Sequence, residues 1–172
     1  GEAIDKVARV LSLPYPGGPN LEALALAGDS EKYALPRAFA GEDHLDFSFS
    51  GLKTAVINLL HRMEQAGESY KREDVAASFL RAVAGALAKN TFEALRREKL
   101  DTLAIAGGVS ANRQIREWFT REAQERGVKL YFPEMRYCTD NAAMIASAGY
   151  YAYEAGARAD LSLNAQPVAE LL

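Results

Sequence analysis

The chain has 172 residues, 49% of them hydrophobic and 25% charged, with a formal net charge of −3. That size suits one domain or two small lobes, and that apolar fraction supports a folded core rather than disorder. The slightly acidic balance argues against a dedicated basic nucleic-acid binder, no apolar run is long enough for a membrane span, and the single cysteine, Cys138, excludes an internal disulfide and fits a reducing, cytoplasmic setting.

The opening, GEAIDKVARVL, lacks the basic start and apolar block of a signal peptide. It begins without a Met, as if inside a helix, so the expectation is a piece of something longer. Ile4, Val7, Ala8 and Leu11 recur at spacings of three and four, predicting a helix over 2–13 that Pro14 stops. PYPGGPN (14–20) reads as a stiff loop with a glycine turn. Pro19 then opens a short helix through Leu26, closed by Gly28. In LDFSFSG, Phe47 and Phe49 alternate with Ser48 and Ser50, which predicts a strand with one buried face. Helices follow over about 52–65, with Leu52, Val56, Leu59, Leu60 and Met63 on one side, and about 72–98, with Val75, Phe79, Val83, Leu87 and Leu95 on one stripe.

LDTLAIAGG (100–108) reads as a short buried strand, and 112–126 as a helix with Ile115, Trp118, Phe119 and Ala123 inward. VKLYFPE is a second strand, MRYCTD a loop, and 140–155 a last helix ended by Gly156. Strand, helix, strand, helix predicts a right-handed βαβ unit with parallel strands, in an α/β protein.

Two loops leave the carboxyl ends of those strands, the edge where open α/β sheets bind ligands. The first runs from Gly107 and Gly108 to Ser110 and Asn112. Its glycines admit close backbone approach, and the next helix presents free N–H groups; a tight turn with Ser110 or Asn112 as the cap explains it equally well. The second ends in Cys138-Thr139-Asp140-Asn141. Asp140 is either a helix cap or one ligand of a metal. In a third candidate, 16–22, Gly17 and Gly18 could admit a ligand, and Glu22 could accept from a sugar hydroxyl pair or simply sit in a first helical turn. His44 and His61 are not at a ligand spacing, and neither HExxH nor GxSxG occurs. Cys138 reads as a buried small residue, and Asp5 as a solvated one. Arg113, Arg116, Arg121 and Arg126 load one helix, and Arg72, Arg96, Arg97 and Lys99 mark the ends of another. A solvated face is the default for such residues and contact with RNA the alternative.

Taken together, GEAIDKVARVLSLPYPGGPNLE, LDFSFSGLKTAV, AIAGGVSANRQIR and YCTDNAAMIASAGY resemble, in order and approximate spacing, the TsaD family of tRNA adenosine threonylcarbamoyltransferases, once called O-sialoglycoprotein endopeptidases. The resemblance implies an actin-like α/β fold of the sugar kinase and Hsp70 type. It implies transfer of threonylcarbamoyl from threonylcarbamoyl-AMP to the exocyclic amine of the adenosine beside the anticodon. It carries nucleotide contacts onto Asp5, Gly18, Glu22 and Asn112, beside the glycines Gly107 and Gly108, and a metal-binding aspartate onto Asp140. Asp5 and Glu22 suit ribose hydroxyls, and Asn112 both donates and accepts. The implied cofactors are one divalent metal, iron or zinc, and ATP or threonylcarbamoyl-AMP as nucleotide. The implied partners are tRNA, a smaller TsaB-like paralogue and a TsaE-like ATPase, with no membrane. The family's glycine-rich loop and HxxxH metal pair lie in an upstream half not found in this sequence. The expectation is therefore a C-terminal portion that is inactive alone and prone to self-association. A non-catalytic actin-like module that binds partner proteins is the alternative, and a metalloprotease a weaker one.

Overall fold

A computed structural model describes residues 1–36 and 45–165; His44 falls outside them. The architecture is mixed α/β, with α1 (Glu2–Val10), α2 (Gly17–Ala25), α3 (Ser50–Gln65), α4 (Arg72–Glu98), β1 (Thr102–Ala104), α5 (Arg113–Arg126), β2 (Lys129–Tyr131) and α6 (Ala142–Glu154) in chain order. Short 3-10 turns over Gly108–Ala111 and Met135–Tyr137 lead into α5 and α6.

Helix α4 is the axis of the packing. At 1.5 Å rise per residue, its 27 residues span about 40 Å. The predicted single stripe is too narrow for its first half, where Val75 to Leu80 and Ala82 to Gly85 are all buried. The reason lies in the residues between the large ones. Ala76, Ala77, Ala82 and Ala84 let neighbouring helices approach several sides of α4 at once. Helices α2 and α5 pack on it, and α1 packs on α2 and α3. Phe92 of α4 meets Phe119 of α5 with ring centroids 5.7 Å apart. On α5, Ile115, Phe119 and Ala123 are buried as expected, while Trp118 is half-buried with Arg121 over its ring.

The turn after α2 is fixed to the start of α4. A Cβ added at Gly28 would lie 2.1 Å from the Glu73 carbonyl oxygen, so only glycine lets the two backbones meet. Asp74 Oδ1 accepts from the Asp29 amide, and the buried Ser78 hydroxyl accepts from the Tyr33 amide and donates to the Asp29 carbonyl.

Strands β1 and β2 pair in parallel, Thr102 with Lys129, Leu103 with Leu130 and Ala104 with Tyr131. The parallel βαβ expectation holds, but the ladder is three residues long on each side. The expected buried β1 is covered only through Leu103 and Ile105, with Thr102 and Ala104 exposed, because among the described residues β2 is its sole neighbour.

Two other expectations change. Helix α2 begins at Gly17 rather than Pro19, because Asp5 Oδ1 accepts from the Gly17 amide at 3.0 Å and so caps the helix from outside it. Residues 45–49 form no strand. The Phe47 and Phe49 rings do share a side, 6.5 Å apart and within 10° of parallel, so the alternation is real. Among the described residues the backbone has no ladder partner; Asn90 Nδ2 donates to the Asp46 carbonyl. The two rings, Val83, Leu87 and the inner side of β1 line an apolar cavity of about 380 Å³. Finally, α6 is exposed along its whole length, with Met144, Ile145, Tyr150, Tyr151 and Tyr153 open. No described helix is long and apolar enough to cross a membrane.

Replacing Gly28 by Ala forces two backbones apart. The expected loss of unfolding free energy is about 3 kcal/mol, with overpacking against immovable atoms as the cause. Gly51→Ala, where an added Cβ meets nothing, serves as the control and leaves urea unfolding unchanged or slightly later.

Candidate functional site

The predicted site residues fall on α1 and α2, at the amino end of α5 and in the two loops beyond β1 and β2. Half-buried Asp5 on α1 bonds the Gly17 amide through Oδ1. A Cβ at Gly17 would lie 2.6 Å from Asp5 Oδ1 and 2.8 Å from Ala8 Cβ, so α1 and α2 meet as closely as glycine allows. One residue on, Gly18 faces open space. The paired glycines therefore do different things: Gly17 serves the fold, and among the described residues nothing requires Gly18.

Glu22, one turn along α2, reaches α5. Its Oε1 accepts from the Arg113 amide at 3.0 Å. Asn112 is 7% exposed, and its Oδ1 accepts from the Ile115 amide at 3.1 Å. Two of the amides left open at the start of α5 are thus satisfied by side chains 90 positions apart in sequence, Glu22 and Asn112. This corrects the expectation of bare N–H groups there. A ligand at this end of α5 meets a carboxylate and an amide side chain before it meets backbone. Such a surface suits hydroxyl donors better than a phosphate.

Gly107 has φ +90°, a conformation that only glycine adopts without strain, and it turns the chain out of β1 into the 3-10 turn. Gly108 faces the second loop, where an added Cβ would sit 3.8 Å from Thr139 Cγ2. Ser110 is buried, and among the described residues its hydroxyl has no hydrogen-bond partner. The structure thus brings Glu22 and Asn112 together at the start of α5, leaves Asp5 at the start of α2, and sets the Gly107–Gly108 turn beside the approach to Asp140.

Asp140 itself is exposed, and Asn141 takes the capping role at α6 by accepting from the Met144 amide at 2.9 Å. Among the described residues no group of three or more His, Cys, Asp or Glu is placed to hold a metal. One carboxylate supplies one of the four to six donors a divalent ion takes, so the described residues do not make up a metal site.

The arginines are largely employed within the chain. Arg96 and Arg97 both bond Glu93 and hold its carboxyl down to about 2, well below the usual carboxylate range. Arg126 pairs with Glu122 at 2.9 Å and lies over the Phe92 ring. Arg121 covers Trp118. Arg116, which sequence reasoning grouped with a solvated basic face, turns inward to both strand-end loops. Its place between a buried Ile115 and a half-buried Trp118 was the available signal. Cys138 is 3% exposed, as a buried small residue should be.

A family profile described as tRNA N6-adenosine threonylcarbamoyltransferase, TsaD, matches residues 1–147. Proteins of that name from Clostridium botulinum (strain 657 / Type Ba4) and Clostridium perfringens (strain SM101 / Type A) are each 48% identical to this chain over 167 residues, covering 97% of it and 49% of the relative. The chain thus spans about half the length of the curated relatives it matches. A solved structure described as T.kodakarensis HypF superposes with a TM-score of 0.64 over 88% of this chain and 20% of that one, at 23% identity, a likeness of fold alone. By the extent of the profile match and the identity to these relatives, the chain belongs to the TsaD family of tRNA N6-adenosine threonylcarbamoyltransferases.

Proposed function

We propose that this chain supplies the nucleotide-binding side of an actin-like threonylcarbamoyltransferase acting on tRNA. The observation that carries the reading is the family match over residues 1–147. The convergence of Glu22 and Asn112 on the first turn of α5 agrees with it. In the reaction, the exocyclic amine of adenosine attacks the carbamoyl carbon of threonylcarbamoyl-AMP. A C–N bond forms, the C–O bond to the phosphate breaks, AMP departs, and the amine gives up one proton.

The residues of this chain bear on the AMP part. Glu22 and Asp5 each spend one carboxylate oxygen on a helix cap, and the second oxygen of each is the acceptor offered to ribose hydroxyls. Asn112 spends Oδ1 on α5, and Nδ2 is the donor offered to the ligand. Gly18 leaves room for the nucleotide. Because these side chains are already fixed by capping, little of their freedom remains to be lost on binding. Asp140 contributes one carboxylate toward a divalent metal, iron or zinc, whose other donors lie outside the described residues; no step here runs through it. A TsaB-like paralogue and a TsaE-like ATPase are the proposed protein partners. The open apolar side chains of α6 make self-association of the chain by itself part of the proposal.

Two variants separate ligand contact from folding. Asn112→Asp keeps the Oδ1 cap and removes the Nδ2 donor; unfolding by urea stays within about 0.5 kcal/mol of wild type, while AMP binding by calorimetry weakens about tenfold. Gly18→Ala leaves stability equal or slightly higher, since Ala is the better helix former, and costs about tenfold in AMP affinity by filling the open space. Wild-type AMP affinity in both variants would remove these residues from the site. For the reaction, this chain is grafted in place of the matching half of the Clostridium botulinum relative. Formation of threonylcarbamoyladenosine on tRNA, read by mass spectrometry of nucleosides, is the expected result. A well-folded graft that binds AMP yet yields no modified nucleoside favours the non-catalytic module.

A further inference from the structure

Arg116 lies across the carboxyl ends of both strands. Its Nε donates to the Ser110 carbonyl at 2.5 Å, in the turn between Gly108 and Asn112. Its Nη2 donates to the Pro133 carbonyl at 2.8 Å and to Cys138 Sγ at 3.2 Å, in the loop that leads to Asp140. The guanidinium carbon sits 4.7 Å from the centre of the Phe132 ring, which sets the tilt of the planar group. These acceptors are two carbonyls and a thiol rather than a carboxylate. A planar fork that bonds in two directions at once is a property of arginine that lysine, a point charge on a flexible stem, does not reproduce.

We propose that Arg116 is a positioning residue for the transfer reaction: it ties the loop of Asn112 to the loop of Asp140, so that the two sides of the site keep one spacing. The positioning role rests on the functional reading above; the tether itself is independent of what is transferred. Nothing on the surface of α5 asks for this inward turn. Arg121 and Arg126, further along the same helix, stack on Trp118 and Phe92 without reaching either loop.

The tether is read first in the 172-residue chain, by amide hydrogen exchange of wild type, Arg116→Ala, Arg116→Lys and Cys138→Ala. Residues 134–141 are expected to exchange about tenfold faster in both Arg116 variants and about two- to threefold faster in Cys138→Ala, which removes only the sulfur acceptor, while α4 keeps its protection. AMP affinity stays within about threefold, because the Asn112 cap does not involve Arg116. Unchanged exchange at 134–141 in Arg116→Lys and Cys138→Ala overturns the tether, whether or not Arg116→Ala folds.

The second reading uses the grafted family-length enzyme. Both Arg116 variants are expected to lower kcat at least about tenfold with KM for tRNA within about threefold, the pattern of lost alignment rather than lost binding. Three results overturn the positioning role: Lys restoring kcat to within about twofold, which would make charge the requirement; a raised KM for tRNA with kcat intact, which would make Arg116 a tRNA contact; or kcat per folded molecule unchanged while the melting temperature falls, which would make it structural only. If wild type forms no modified nucleoside, the functional reading fails and with it the positioning role, while the exchange data still judge the tether.

Discussion

Burial of α4 is the constraint on which the rest of the structure depends. A helix of this length with ten of its first fourteen residues, 72–85, buried must be wrapped from several sides, and the wrapping helices are α2 and α5. Each carries one part of the candidate site. The seat of α2 on α4 aims Glu22, and the seat of α5 aims Asn112. Gly28 and the Asp74 and Ser78 hydrogen bonds fix the first seat; the contact of Phe92 with Phe119 and the stacking of Arg126 on Phe92 fix the second. The bond from the Arg113 amide to Glu22 then joins two elements that touch α4 separately. Small residues in the first half of α4 thus set where a carboxylate on another helix ends up.

Asp5, Glu22 and Asn112 are at once structural caps and the residues the family resemblance assigns to the nucleotide. These roles do not compete, because a carboxylate or a carboxamide has more hydrogen-bonding capacity than one cap uses. The arrangement does change what kind of ligand fits. An α5 start already holding Glu22 is less inviting to an anion than a bare helix terminus. Ribose hydroxyls, which donate, are the better match for the oxygens left over.

Much of this was legible in the sequence, for local reasons. The periodicity of Ile4, Val7, Ala8 and Leu11 places α1, and the inward set Ile115, Phe119 and Ala123 places α5. What was not legible depended on partners far along the chain. Alternation at Phe47 and Phe49 describes two side chains on one side, and says nothing about whether a neighbouring backbone is there to pair with it. Gly17 and Gly18 look equivalent until Asp5 is found against one of them. Residue type offers Ser110 or Asn112 as the cap, and the structure selects Asn112, whereas Glu22 capping the same helix needs three-dimensional proximity across 91 residues. Arg116 reads as surface charge because two of its acceptors are carbonyls, which every residue carries, and only its place between Ile115 and Trp118 hints at the inward turn.

The lone tryptophan has a use of its own. Trp118 is half-buried on α5 beneath the Arg121 guanidinium, 4.8 Å from the ring, within two turns of Asn112 and next but one to Arg116. An indole partly covered by a cation is sensitive to small changes in helix seating. With no second indole to blur the signal, the intrinsic fluorescence of this chain reports on the one helix that carries the amide cap and the tether together. The molecule therefore has a built-in optical gauge of its own site, readable without a label.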